Sequence, residues 1–107
     1  MDITQAKSVI EIILNSILTS APDAILNLEK ILQLIANGIR SVGTLGVLIS
    51  QNPAFAQLAQ KLLYLLNSGI SVHEIAISLT QFATNLGLPL ELLIQFLQIV
   101  SGLIAVF

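Results

Sequence analysis

Residues 71–104, SVHEIAISLTQFATNLGLPLELLIQFLQIVSGLI, carry the pattern that decides the fold. Polar side chains return every three or four positions: Glu74, Ser78, Gln81 and Asn85, then Glu91, Gln95 and Gln98. That is the period of an α-helix, in which residues three and four apart share a face. Between the two runs stands Gly87-Leu88-Pro89, a glycine where a helix stops and a proline where the next one starts. Upstream, Ser71 with Glu74 three residues later is the capping-box spacing that opens a helix.

The same punctuation divides the rest of the chain. Asp2 with Gln5 is a second capping box and predicts a helix over 3–19, with Thr4, Ser8, Glu11, Asn15 and Thr19 as its polar strip. Ser20-Ala21-Pro22-Asp23 then offers an N-cap, an early-turn proline and an acid for the positive end of a helix. That second helix runs to the Asn37-Gly38 stop. A third piece, 39–50, holds Gly43 and Gly46, each costing about 1 kcal/mol against alanine inside a helix. Asn52-Pro53 opens a fourth helix that ends at Asn67-Ser68-Gly69; the fifth runs from Ser71 to Gly87, and the last from Pro89 nearly to Phe107. Leu, Ala and Gln outnumber Val, Tyr and Thr, and there is no sustained alternation, so strands are disfavoured. The expectation is an all-α bundle of five or six short helices, six if 39–50 is helical. Leu14-Asn15-Ser16 recurs as Leu66-Asn67-Ser68, which chance in such a composition explains more simply than duplication.

At 107 residues the chain is one domain, 1–107. Hydrophobic residues make up 55% and charged residues 9%, against roughly 25% charged in an ordinary soluble domain. A net charge of -2 from six acids and four bases argues against a nucleic-acid partner, which needs a basic surface. With no Cys and one His, no disulfide framework, thiolate nucleophile or Cys/His metal site is expected, and no cofactor.

A mean hydropathy of +0.93 raises the question of membrane insertion. A spanning helix needs about 20 mostly apolar residues. The charge-free run 41–60 is cut by Asn52-Pro53 and carries Gln51, Gln57 and Gln60; the run 92–107 is short and holds Gln95 and Gln98. The opening residues, with Asp2 ahead of Lys7, lack the basic stretch and cleavage site of a signal peptide.

The polar strips are narrow, often one residue per turn, so most of each helix circumference is apolar. A domain of this size leaves roughly a third of its unfolded-chain surface exposed. The polar residues are too few to cover it, which implies a homo-oligomer, a lipid or a hydrophobic ligand. The last helix is the clearest case, and Leu92, Phe96, Val100, Leu103 and Phe107 are its candidate interface, with Phe96 and Leu103 facing outward.

No residues assemble into a catalytic motif. His73-Glu74 pairs the single His with an acid, but adjacent helix residues do not face each other, and both fit the first turn of a helix, His73 in solvent. Gly43-Thr44-Leu45-Gly46 lacks the Gly-Lys-Ser/Thr of a phosphate loop and suits a close helix approach or a bend. Arg40 and Lys61 are isolated cations in a nearly uncharged chain, each either on a rim or paired with an acid across helices.

The run Asn67-Ser68-Gly69, Ile70-Ser71-Val72, EIAISLTQFATNLG, Leu88-Pro89-Leu90 and ELLIQFLQIVSGLI covers about half of the chain and resembles the C-terminal domain of spider silk proteins. The resemblance implies a non-catalytic helical bundle that forms an intertwined homodimer and controls assembly, with an inter-helix ion pair for which Arg40 or Lys61 and Glu91 are the candidates. Pro53-Ala54-Phe55, Ser68-Gly69-Ile70 and Gly87-Leu88-Pro89 are similar to insect allergen-type helical repeats, which enclose lipids. The first expectation is therefore a self-assembling structural domain. The alternative is a small lipid-binding or membrane-associated helical protein, viral or cellular.

Overall fold

A computed structural model describes residues 2–20, 23–37 and 44–106. They form α1 (Ile3–Ser20), α2 (Ala24–Ala36), α3 (Thr44–Gln51), α4 (Ala54–Asn67), α5 (Val72–Asn85) and α6 (Leu90–Val106), with no strand among them. The all-α reading stands, and local chemistry accounts for most of the boundaries.

Asp2 opens α1: its Oδ1 accepts from the Gln5 amide at 2.9 Å, satisfying one of the amides a helix start leaves without a partner. Ser71 opens α5 in extended backbone (φ -67°, ψ 157°) and accepts from the Glu74 amide at 3.2 Å. Its hydroxyl also donates to Glu74 Oε1 at 3.2 Å. Asn52 Oδ1 accepts from the Ala54 amide at 3.0 Å, with Pro53 already helical beside it. The junction of the first two helices differs from expectation. Ser20 belongs to the end of α1, and Asp23 holds the cap position of α2 with no side-chain cap bond; its carbonyl accepts from Asn27 at 2.8 Å.

The third helix, expected over 39–50, is present as Thr44–Gln51 among the described residues. The expected residues 39–43, with Gly43, lie outside the described residues. Leu45 anchors it, fully buried.

The arrangement is set by α6. It packs against α1, α2, α3 and α5, and its Phe96 ring stacks on Phe55 of α4 with centroids 6.0 Å apart. Leu93, Ile94, Phe96, Leu97, Val100 and Ile104 are buried, and Leu90, Leu92, Ile99 and Leu103 are half-buried against the same core. A helix apolar nearly all round belongs at the centre of a bundle, and here the chain's own helices cover it. This overturns the expectation that one flank of the last helix has no partner within the chain. α5 rests on α1, α4 and α6, and α2 on α4 and α6. Thr80 is the buried polar residue of the described core, and its hydroxyl donates to the Ala76 carbonyl at 2.7 Å.

Candidate interaction surface on helix α4

The core takes Phe55, Leu58, Ala59, Leu62, Leu65 and Leu66 from α4. The opposite side is left to Gln57, Gln60, Tyr64 and Asn67, all exposed. Their spacing of three, four and three keeps them on one strip. Tyr64 stands at its middle, 66% exposed.

An open groove flanks the strip on each side. Between α2 and α4, Glu29, Leu32, Gln33, Ala36, Gln60 and Leu63 line a groove of about 360 Å³. Its floor is apolar through Leu32, Ala36 and Leu63, and its rim is amide and carboxylate. Between α4 and α5, Lys61, Ser78, Gln81, Phe82 and Asn85 line a groove of about 180 Å³. Here Lys61 Nζ lies 5.4 Å from the Tyr64 ring centroid and 5.6 Å from that of Phe82. Ring faces attract an ammonium, and its stem lies along apolar surface. One flank of α4 is thus acidic through Glu29 and the other basic through Lys61.

A second polar contact joins distant parts of the chain. His73 Nδ1 of α5 lies 2.8 Å from Glu11 Oε1 of α1, with side chains 67% and 30% exposed. His73 therefore has a carboxylate partner, but it is Glu11 and not the adjacent Glu74. Nothing local signals this pairing, since 62 residues separate the two.

The residues singled out from sequence fall elsewhere than expected. Phe96 and Val100 are 0% exposed, inside the chain's own core, so neither faces outward. Aspartate at Phe96 would place a charge in that core and unfold the chain rather than separate copies of it. Leu92 and Leu103 are half-buried and packed on the core. Phe107 and Arg40 lie outside the described residues. Glu91 is exposed in the first turn of α6, and Lys61 is held over two aromatic rings. Tyr64, the centre of the α4 strip, was not singled out; the signal was its place in the Gln57-Gln60-Tyr64-Asn67 spacing, which reads from sequence as an ordinary wet edge.

Among the described residues, no single helix is long and apolar enough to cross a membrane, and no three His, Asp or Glu side chains gather as a metal site would require. Comparison with protein-family models, with curated proteins and with solved structures finds no match to this chain.

Proposed function

We propose that this chain is a non-enzymatic helical module that works by associating with copies of itself. The observation that carries the reading is the outward face of α4, a helix strip with an exposed tyrosine set between two open grooves. Such a face has the shape a partner helix fills, and tyrosine suits an interface because its ring buries while its hydroxyl keeps a hydrogen bond. The chain's resemblance to spider silk C-terminal domains, which are homodimeric, supports the same reading. The apolar residues of the last helix pack in the chain's own core, which favours α4 over α6 as the joining surface in this reading. Light scattering on the full chain without detergent tests the proposal: a discrete mass above 11.5 kDa supports it, and a monomer at all accessible concentrations refutes it.

A lipid-associated role is the second reading. It is favoured by Ile3, Ile12, Leu18 and Leu26, four exposed large apolar side chains on α1 and α2. Ile12, 68% exposed, stands in the middle of the polar strip of α1. Co-sedimentation with phosphatidylcholine vesicles distinguishes the two, since a self-associating module without lipid affinity stays in the supernatant.

A further inference from the structure

The two charges beside the α4 strip are placed so that one symmetry operation makes them partners. Glu29 lines the groove on the α2 side of the strip, and Lys61 lines the groove on the α5 side. Around α4 the order is Leu63, Gln60, Tyr64, Gln57, Lys61, so the two grooves lie on opposite flanks. Among the described residues neither Glu29 nor Lys61 meets an opposite charge; the His73–Glu11 pair is elsewhere, on α5 and α1. Lys30 adjoins Glu29 in sequence, but it is exposed while Glu29 is half-buried in the groove wall.

Two copies meeting face to face on this strip are related by a two-fold axis lying in the interface. If the axis runs along α4, the two α4 helices lie parallel and each acidic flank faces a basic one. If it runs across α4, the helices are antiparallel and like flanks meet, Lys61 against Lys61 and Glu29 against Glu29. Complementary charge selects register and orientation at an interface, and like charges exclude the alternative.

We propose that a second copy of this chain docks on the α4 face with the two α4 helices parallel, so that Lys61 of each protomer meets the partner's Glu29. The inference rests on the self-association reading and names its surface. The spacing of Gln57, Gln60, Tyr64 and Asn67 keeps one strip turned toward a partner helix. At the seam the tyrosine rings supply apolar contact, and the amides pair across the axis and fix register. The apolar floor formed by Leu32, Ala36 and Leu63 is covered in the same step. The ring faces of Tyr64 and Phe82 hold the Lys61 ammonium at the edge of the seam, ready for a carboxylate.

The test is a charge exchange on the full chain, read as association by sedimentation equilibrium, with helix content checked by circular dichroism. The variants are Lys61→Glu, Glu29→Lys, the two together, and Tyr64→Lys. Each single exchange turns two attractive contacts per dimer into repulsive ones and is expected to weaken association about tenfold or more. The double exchange restores the attraction and is expected to recover association to within a few-fold of wild type. Tyr64→Lys changes an exposed side chain and sets like charges against each other near the axis, so it also weakens association while the fold remains. A wild-type chain that associates while the single variants associate equally well, or while the double exchange recovers nothing, overturns the α4 interface and leaves self-association standing. A wild-type monomer overturns both.

Discussion

Gly87 follows α5 at φ +77°, a left-handed conformation that only glycine adopts without a steric penalty. Its amide donates to the Thr84 carbonyl at 3.0 Å, and the Leu88 amide reaches back to Ala83 at 2.9 Å. These two bonds close the helix end in a Schellman arrangement, and they turn Leu88 into the core, where it is 6% exposed. No atom crowds the position within 4 Å, so the cost of a side chain here is purely conformational. Gly87→Ala is expected to destabilise the chain by about 1–2 kcal/mol in urea unfolding. The starts of α5 and α4 depend on side chains in the same local way. Ser71→Ala and Asn52→Ala each remove an oxygen that accepts from a helix-start amide, and each is expected to cost about 1 kcal/mol. If both prove neutral in thermal melts, the caps have been assigned to the wrong residues.

At the scale of the helix, α6 separates what local chemistry decides from what packing decides. Its exposed residues, Glu91, Gln95, Gln98, Gly102, Ala105 and Val106, occupy one narrow side. Gly102 sits in the helix interior on that side, with nothing within 4 Å of an added methyl group. Gly102→Ala therefore gains helix propensity and meets no clash, and is expected to stabilise the protein by up to about 1 kcal/mol. A lower melting temperature would show that the position is more crowded or less helical than this. The helix boundaries were legible in the sequence because caps and stops act over three or four residues: Asp2 to Gln5, Ser71 to Glu74, Gly87 to Thr84. The role of α6 was not legible. Leu92, Phe96, Val100 and Leu103 surround the helix whether its second flank meets its own chain or another copy, and only the placement of α1, α2, α3 and α5 distinguishes the two. The same holds for the candidate site. Lys61 stood out as an isolated cation, but its aromatic neighbour Phe82 comes from another helix. Glu29 carries no local signal of its place, because its groove is completed by Gln60 and Leu63 of α4.

For the molecule as a whole, the central position of α6 makes a statement about cooperativity. The accessible surface is 5714 Å², close to the roughly 5800 Å² of a folded monomer of this mass. One copy therefore closes its own core, and the fold needs no second copy to complete it. Closure depends unequally on the helices. α6 is in contact with α1, α2, α3 and α5, and stacks Phe96 on Phe55 of α4, whereas α3 is 8 residues long and rests mainly on α4 and α6. Local opening is easiest where few buried contacts must be broken, and amides in the most connected element exchange only when the whole domain unfolds. Opening α3 exposes Leu45, the one fully buried side chain among its described ones, while releasing α6 exposes six buried residues. Native-state hydrogen exchange is thus expected to show the slowest amides in the middle of α6, near Phe96 and Val100, with opening energies equal to the global unfolding energy. The α3 amides are expected to exchange well before them, through a local opening insensitive to denaturant. Phe96→Ala removes the ring at the hub and is expected to cost about 3–5 kcal/mol, lowering the protection of α1, α2, α4 and α5 together with that of α6. If that variant loosens α6 alone and the other helices keep their protection, α6 is not the element on which the rest of the bundle depends.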